Sequence, residues 1–511
     1  MQLVAYGAQD FYLTGNAQIT YFKVVYRRHT NFATESVEQT FNGSATFGGK
    51  AVCNIQRSGD LITKMYLNTK LSGPKTGNWA WVSRVGHALI QDVTLDIGGT
   101  TVDKQYNDWL NVWYELARNH AHDRGYDKMI GNTQEHTTIA VGEKSVNVWV
   151  PLQFACCRND GLALPVIALQ YHDIKISFTF ERLERLVNRE ASFASVSSSD
   201  FKMEAASLFV DYVYLDDEER KKFAQASHEY LFEQLQFSGA ESLASVNNKI
   251  RLNLNHPCKE LVWVTKCEKY ISGGRFLAYN ASNPEEGRLL ATKRFALKCA
   301  KYDVAGNLLE LDSTTNKLKS HASVSADNQT LFDKIGAVST SVTPDADALI
   351  ITGELLPWEE CSKLMSVFKF DDHSPTKGDG AASKDVIIYQ HDNYGVLLNG
   401  SVNPTQQVLL QLNSHDRLSK RGGEYFNYVQ PYQCHTNTPV DGVNVLSFAL
   451  NPEEHQPSGT CNMSRIDNAT LSLTIDGKIV GTNGQSSVYI FATNYNVLRI
   501  MSGMAGLAYS N

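Results

Sequence analysis

The sequence has few cysteines, no long hydrophobic run and no excess of positive charge. Its nine cysteines in 511 residues form no even framework, which disfavours a disulfide-stapled secreted scaffold and favours a reducing compartment. No stretch approaches the roughly 18 apolar residues of a membrane-spanning helix, and residues 1–10 lack the features of a signal peptide. The net charge of −7 disfavours a protein that binds nucleic acid phosphates.

The common catalytic and cofactor motifs are also missing. The sequence contains no Gly-x-Ser-x-Gly, His-Glu-x-x-His or strand-linked Gly-x-Gly-x-x-Gly motif. Residues 43–50 only approximate a phosphate loop, because Ala51 replaces the hydroxyl residue that would hold Mg²⁺. His120 and His122 lack the remaining residues of a cupin-type metal motif, so we expect surface histidines at a helix end. The sequence therefore predicts neither an enzyme nor a cofactor.

One short segment combines acid and base side chains. Glu453, Glu454 and His455 could tune one another's pKa values for acid/base chemistry. They lie between Pro452 and Pro457, which favours a loop without a catalytic role.

Period-two alternation of apolar and polar residues recurs in both halves of the chain and predicts β-strands. The clearest examples are residues 65–71, 93–97, 174–180 and 471–475. Gly98-Gly99 follows the second of these as a turn signal. An apolar composition of 42% is enough for sizeable cores, so we expect a globular, all-β protein.

Helical signals are scarce. Residues 104–119 carry an aromatic and apolar stripe at helical spacing that includes Trp109 and Trp113, which predicts a short helix packed on the core. Residues 216–222 (DDEERKK) place acids before bases, as suits a short linker helix. We therefore expect one domain over residues 1–218 and a second over residues 219–511. Polar stretches at residues 303–347 and 371–384 are predicted to be exposed loops.

Two further groups are candidates for contacts or modification. Lys23, Arg27 and Arg28 form a short basic cluster among apolar residues at i, i+3 and i+7, which suits either an amphipathic segment that docks on a partner or a solvated face. Among several Asn-x-Ser/Thr sequons, Asn280, Asn328 and Asn399 are candidates for glycosylation.

Long ordered motifs across the whole chain resemble the major capsid proteins of nucleocytoplasmic large DNA viruses, which include phycodnaviruses, iridoviruses and mimivirus relatives. The matching segments are residues 2–10 (QLVAYGAQD), 12–16 (YLTGN), 23–32 (KVVYRRHTNF), 38–43 (EQTFNG), 161–172 (GLALPVIALQYH), 213–220 (VYLDDEER), 448–461 (FALNPEEHQPSGTC), 464–470 (SRIDNAT) and 495–503 (YNVLRIMSG).

The resemblance implies a double jelly roll, meaning two tandem eight-stranded sandwiches with short helices in the loops and linker. It also implies homotrimeric, pseudo-hexagonal capsomers that tile the icosahedral shell of a virion assembled in the host cytoplasm. The segment through Arg28 would then face the shell interior, where it meets minor capsid and penton proteins or an internal membrane. No sequence-specific contact with nucleic acid is implied.

A carbohydrate-binding β-sandwich protein is the alternative, because jelly rolls are also lectin scaffolds. This alternative predicts a groove lined by exposed aromatic side chains beside carboxylates. Trp79 and Trp81 are the candidate pair, although burial in a core or interface is the favoured role for them.

Overall fold

The computed structural model describes residues 7–137, 140–142, 144–189, 200–267, 276–279, 403–477, 479–480 and 486–509, together with the backbone of five strands between residues 308 and 390. Strands dominate these parts of the chain. In the first half they are β1 (Phe32–Thr40), β2 (Lys50–Asn54), β3 (Leu61–Ser72), β4 (Asn78–Trp81), β5 (Ile90–Ile97), β6 (Thr100–Tyr106), β7 (Ala140–Val141), β8 (Val146–Pro151), β9 (Leu164–Pro165), β10 (Ile174–Phe180), β11 (Val187–Arg189) and β12 (Lys202–Leu215).

The second half continues in the same way. Its strands are β13 (His228–Ser242), β14 (Asn247–Arg251), β15 (Pro257–Lys266), β16 (Leu308–Asp312), β17 (Lys317–His321), β18 (Ala348–Gly353), β19 (Phe368–Phe370), β20 (Lys384–Gln390), β21 (Thr405–Leu412), β22 (His415–Gly422), β23 (Val443–Ser447), β24 (Cys461–Asn462), β25 (Ala469–Ile475), β26 (Ser487–Met501) and β27 (Met504–Leu507).

The helices of the described residues are short, and all except the first lie between strands. They are α1 (Phe11–Thr14), α2 (Val85–Leu89), α3 (Asn107–Ala117), α4 (Asp123–Met129), α5 (Gln134–Thr137), α6 (Ala155–Arg158), α7 (Leu183–Leu186), α8 (Asp217–Gln225) and α9 (Gln430–Cys434). Within the described ranges, no helix is long and apolar enough to cross a membrane.

The same strand order occurs twice along the chain. The first half forms the sheets β1-β12-β3-β8 and β2-β10-β5-β6, and the second half forms β13-β26-β15-β23 and β14-β25-β21-β22. If the eight strands of each pair of sheets are numbered along the chain, both halves have the orders 1-8-3-6 and 2-7-4-5. Each half therefore has a four-on-four antiparallel framework with identical connectivity, to which the short strands β9, β24 and β27 are added.

The predicted strands are present, and their local sequence explains them. β10 alternates buried and more exposed side chains along its length, as expected for a strand with one face on a core. β5 and β6 are joined through Gly98 and Gly99, which have φ angles of 59° and 82°. Two consecutive positive φ angles suit the tight turns favoured in hairpins, and glycine adopts them without strain.

The helix predicted for residues 104–119 is shorter in the structure. β6 continues to Tyr106, where it still pairs with Asp92, and α3 covers only Asn107–Ala117. Residues 104–106, which the helical spacing alone would assign to the first turn of α3, therefore pair in the sheet as part of β6. The linker helix α8 is present, and its N-cap Asp216 accepts a hydrogen bond from the Asp217 backbone N–H at 2.8 Å.

The polar stretch at residues 303–347 contains regular structure. β16 and β17 pair as an antiparallel hairpin within it, so the prediction of loop throughout this stretch is wrong at those strands. Polar composition does not prevent a hairpin, because the backbone hydrogen bonds that pair two strands do not require apolar side chains. Residues 371–383 lie outside the described residues.

Three apolar clusters organise the interior of the described part of the chain. One fills the first sandwich and one fills the second. A third joins the halves and combines residues of α3 with residues of β15, β23 and β26. The first cluster also includes Leu498, Ile500 and Ala505 from the end of the second half, so the two sandwiches share packing at their boundary.

Candidate functional site

Two parts of the molecule stand out as places where the chain could make or support contacts, and the first is the amino-terminal arm, residues 7–31. All of its residues from 11 onwards are exposed, and Phe22 is 98% exposed. Its exposed large apolar side chains are Phe11, Tyr12, Leu13, Ile19, Tyr21, Phe22, Val24, Val25 and Tyr26. A concentration of exposed apolar side chains of this kind marks an interaction surface.

The basic cluster lies in this arm. Lys23, Arg27 and Arg28 are exposed, and the chain around them has no helix. The i, i+3, i+7 spacing of Ile19, Phe22 and Tyr26 therefore does not produce an amphipathic helix here. A short helix is marginal unless an apolar partner covers one face, and the arm packs on no such partner within the isolated chain.

The second part is the joint between the sandwiches, which is built around α3. Trp109, Val112, Trp113 and Leu116 are buried against the sheet of the second half, with Val262, Val264, Val443, Val445 and Phe491. The Trp109 ring lies 5.5 Å from the Phe491 ring. The sequence predicts this stripe as core, and the structure adds that the core belongs to both halves.

Ion pairs and hydrogen bonds cross the joint beside this apolar contact. Lys266 Nζ lies 2.7 Å from Asp108 Oδ1, with both side chains almost fully buried. The Tyr279 hydroxyl donates to the same Asp108 oxygen at 2.9 Å. A buried carboxylate is tolerated when an opposite charge and hydrogen bonds satisfy it. Asp108 of the first half is therefore bound by residues of the second half.

A second ionic group is centred on Glu233 of β13. Arg158 Nη2 lies 2.7 Å from one carboxylate oxygen of Glu233, and Lys259 Nζ lies 2.6 Å from the other. Arg158 also stacks over the Trp113 ring at 4.6 Å. Arg158 and Trp113 belong to the first half, whereas Glu233 and Lys259 belong to the second, so this group also connects the halves.

The Glu453–His455 segment closes over this group from a loop, as predicted. The Glu454 carbonyl accepts a hydrogen bond from Lys259 Nζ at 2.7 Å. His455 Nδ1 lies 3.7 Å from Glu233 Oε1, and the His455 carbonyl accepts from the Tyr495 hydroxyl at 2.9 Å. The segment therefore covers buried charges.

His435 is held between two carboxylates. Its Nε2 lies 2.9 Å from Glu260 Oε2 and its Nδ1 lies 2.9 Å from Glu453 Oε1. Burial alone would lower the pKa of His435, but the charges and hydrogen bonds of Glu260 and Glu453 outweigh it and raise that pKa to about 9. Both ring nitrogens therefore carry protons at neutral pH and donate to the two carboxylates.

Two buried groups near the joint are shifted towards their neutral forms. Burial and the nearby Arg84 charge lower the pKa of His87 to about 3, and His87 Nε2 lies 2.8 Å from the Tyr126 hydroxyl. Burial raises the pKa of Asp103 to about 6. The Asp103 carboxylate accepts from the Leu235 backbone N–H at 3.0 Å, so it too links the halves.

The tryptophan pair of the carbohydrate-binding alternative is not a surface platform. Trp79 and Trp81 are both 0% exposed and pack edge-on against each other and against Phe201. Their indole N–H groups donate to the Pro74 and Lys144 carbonyls. An aromatic ring that stacks on a sugar must be accessible, so this pair cannot serve in that way.

The histidine pair of the metal-motif comparison lies at the surface. His120 and His122 are exposed at a short turn, and His120 Nδ1 lies 3.0 Å from Asp123 Oδ2. Among the residues that the structure describes, no three His, Cys, Asp or Glu side chains form a group that could hold a metal ion. Asn280, Asn328 and Asn399 lie outside the described residues.

The buried ionic groups were not predicted from the sequence. β15 is buried on both faces and includes Lys259, Glu260 and Lys266, so its polar residues give no alternation to detect. The one available signal was the nearby 448–461 motif, which contains Glu453 and His455 but does not reveal their partners.

Comparisons with known proteins agree over nearly the whole chain. Residues 20–216 match the family model of the major capsid protein N-terminus, and residues 219–506 match that of the large eukaryotic DNA virus major capsid protein. Capsid protein 1 of Acanthamoeba polyphaga mimivirus is 40% identical, over 100% of this chain and 99% of the relative. The major capsid protein of Phaeocystis pouchetii virus is 41% identical with the same coverage.

Solved structures extend this similarity to three dimensions. PBCV-1 VP54, from a crystal structure fitted into a reconstruction of the virophage Sputnik, is 34% identical, with a TM-score of 0.65 over 96% of this chain and 100% of that one. The Faustovirus major capsid protein has a TM-score of 0.60 over 97% of this chain and 94% of that one. At 10% identity the Faustovirus match shows the fold alone.

Proposed function

The chain belongs to the family of large eukaryotic DNA virus major capsid proteins, and from this we propose that three copies assemble into one pseudo-hexagonal capsomer. It has the double jelly-roll fold, and its relatives are structural proteins of the capsid rather than enzymes. Its place is the capsid of a virion, where it meets neighbouring capsomers.

The repeated strand order is the observation that carries the trimer proposal. Because both halves have the sheets 1-8-3-6 and 2-7-4-5, one chain supplies two similar sandwiches. Three chains around a threefold axis then supply six similar sandwiches at roughly equal angles. Such a capsomer has a nearly hexagonal outline, and hexagonal units tile a closed shell with a different unit at the fivefold corners.

We place the domain boundary of this proposal at residues 218/219. It is supported by the absence, among the described strands, of pairing between β1–β12 and β13–β27. The linker helix α8 lies between the two sets of strands. Residues 1–218 would then be the arm and first jelly roll, and residues 219–511 the linker helix and second jelly roll with its long insertions.

Light scattering on a sizing column tests the trimer. We expect three times the 56.9 kDa chain mass, with near-hexagonal particles of the same fraction in electron micrographs. A monomer that persists at micromolar concentration would contradict the proposal, since a stable capsomer buries large subunit surfaces.

The amino-terminal arm is proposed as the contact to components beneath the shell, namely minor capsid and penton proteins or an internal membrane. Its exposed apolar side chains and the charges of Lys23, Arg27 and Arg28 support this role. A variant without residues 1–28 and the variant K23Q/R27Q/R28Q are compared with the full chain. We expect trimers from all three and co-sedimentation with virion components from the full chain alone. Co-sedimentation of both variants with virion components as efficient as that of the full chain would show that the arm does not make this contact.

Assembly in the host cytoplasm and modification at Asn280, Asn328 and Asn399 complete the proposal. Imaging of labelled capsid protein in infected cells tests the compartment, and nuclear shells would overturn it. Glycopeptide mapping of purified virions tests the three asparagines, with Asn→Gln variants as controls. Unmodified peptides at all three positions would remove the glycosylation proposal.

A further inference from the structure

Strand pairing places two cysteines opposite each other in the second half. β15 and β24 are antiparallel, and Cys258 of β15 is the direct partner of Cys461 of β24. Side chains at directly opposed positions of an antiparallel pair lie on the same face, with Cα atoms about 4.5–5.5 Å apart. A disulfide spans Cα separations of about 4.4–6.8 Å, so the backbone already has the spacing that the bond needs.

Both cysteines lie against the apolar core of the second sandwich. Cys258 is fully buried in the core of the second sandwich, and Cys461 is half-buried and packs against the same core. Cys258 Sγ donates only weakly, to the Asn255 and His256 carbonyls at 3.6 and 3.7 Å. Both cysteines are free thiols in this structure.

We propose that Cys258 and Cys461 form a latent cross-strand disulfide that closes when the protein passes from a reducing to an oxidising medium. This inference concerns one chain and does not depend on how many chains form a capsomer. It adds a covalent, redox-dependent state to a protein whose cysteine content alone gives no reason to expect one.

The reaction is a thiol–disulfide exchange with a small disulfide such as glutathione disulfide. The Cys461 thiolate attacks one sulfur of the oxidant, which forms a mixed disulfide and releases one glutathione thiolate. The Cys258 thiolate then attacks Cys461 Sγ, which breaks the mixed disulfide and releases the second glutathione thiolate. The chain loses two electrons and two thiol protons, and the oxidant takes them up as two molecules of reduced glutathione.

The order of attack follows from access and ionisation. Cys461 is the more exposed thiol, so it meets the oxidant first. Burial raises the pKa of Cys258 to about 12, and only the thiolate is a nucleophile. The second step should therefore be slow at neutral pH and faster in mildly alkaline solution.

Closure would fix one end of the loop that covers the buried charges. Cys461 follows the segment 448–460, which brings Glu453 to His435 and the Glu454 carbonyl to Lys259. The disulfide would also enclose residues 259–460, a long stretch whose closure restricts the unfolded chain. We therefore expect the oxidised chain to be more stable and its 448–460 segment to resist proteolysis.

The experiment oxidises the purified full-length protein with glutathione disulfide and then blocks the remaining thiols by alkylation. We expect peptide mapping to recover a linked pair that contains Cys258 and Cys461, and the intact mass measured before alkylation to fall by two hydrogen atoms per bond. The melting temperature should rise by several degrees relative to the reduced protein, and cleavage between residues 448 and 460 should slow.

Two variants separate this disulfide from other oxidation. C461A should lose the linked peptide and the rise in melting temperature. C157A should keep both, because Cys157 belongs to the other close pair, with its Sγ 3.9 Å from that of Cys156. Full alkylation of Cys258 and Cys461 after oxidation, or linkage of either to a different cysteine, would overturn the proposal. Peptide mapping of the oxidised protein without substitutions tests the Cys258–Cys461 bond even if C461A does not fold.

Discussion

The charge state of His435 couples the stability of the chain to pH in alkaline solution. Its pKa rises from 6.5 to about 9 in the folded chain, so its charged form is favoured by folding. This contribution is fully present below the unfolded pKa and is lost as pH rises through about 9. The shift corresponds to roughly 3 kcal/mol. We expect the free energy of unfolding to fall between pH 7 and 9.

The variant H435Q tests this contribution in denaturant titrations across that pH range. It leaves the Glu260 carboxylate buried without its charged partner, so we expect a loss of about 3 kcal/mol or more at neutral pH. The alkaline slope should also flatten. H122Q is the matched control, because His122 is exposed, and it should behave like the unmodified chain. An unchanged slope in H435Q would refute the assignment.

His87 has the opposite pH dependence. Its pKa falls from 6.5 to about 3 in the folded chain, so folding favours the neutral ring. Its contribution is present above the unfolded pKa and is lost as pH falls from about 6.5 towards 3. We expect acid to destabilise the chain and H87Q, which cannot be protonated, to reduce that slope. Acid titrations of unfolding free energy measure it, and equal slopes in both proteins would contradict the prediction.

Single residues are also where sequence-based prediction reaches its limit. Alternation predicts which side of a strand is buried, but it assumes that buried positions are apolar. Lys259 and Glu260 lie in a strand buried on both faces, and their partners Glu233 and His435 are distant along the chain. Without the fold, nothing in the sequence pairs these charges, so the ionic groups of the joint could not be predicted.

Among the elements, α3 packs an apolar stripe of the first half against the second half. Trp109 is buried between α3 and the sheet of the second half. We expect W109A to cost about 3–5 kcal/mol, because a large cavity opens in a packed interior. Calorimetry should then show the two halves unfolding less cooperatively. W149A is the control, since Trp149 is only half-buried against Phe209 on the outer side of its sheet. A cost for W109A no greater than for W149A would show that the joint is not stabilised as described.

The elements themselves were largely predictable. Strands such as β5, β10 and β25 follow local alternation, and α8 follows from its acidic N-terminus. The start of α3 was misplaced because Tyr106 satisfies a helical stripe and a strand pairing equally well, and only the partner Asp92 decides between them. The prediction of loop at β16–β17 is wrong because neither composition nor charge distinguishes a polar hairpin from a loop.

At the scale of the whole molecule, the double jelly roll was expected from the resemblance rather than from the alternation. Period-two patterns predict strands but not their order, and the orders 1-8-3-6 and 2-7-4-5 depend on pairings between distant segments. The joint between the halves could not be predicted for a similar reason, because the apolar stripe of α3 does not reveal which surface it will contact. The repeat and the joint together make one chain a packed pair of similar sandwiches, as the proposed capsomer of six sandwiches requires.

The joint leads to a prediction about the two halves expressed separately. Residues 1–218 alone would expose Trp109 and Trp113, and residues 219–511 alone would expose Phe491 and leave Glu233 without Arg158. Because an exposed apolar surface and the loss of one partner of a buried charge are both costly, we expect each half to aggregate or bind a hydrophobic dye. Co-expressed halves should purify as a one-to-one complex, since the contacts between them do not need the peptide link. The same pair carrying W109A and W113A should co-purify poorly, whereas W149A should not weaken it. A first half that is soluble, monomeric and dye-negative on its own would mean that α3 has a second stable position. The contact between the halves would then form because the peptide chain links them, and not because their surfaces are complementary.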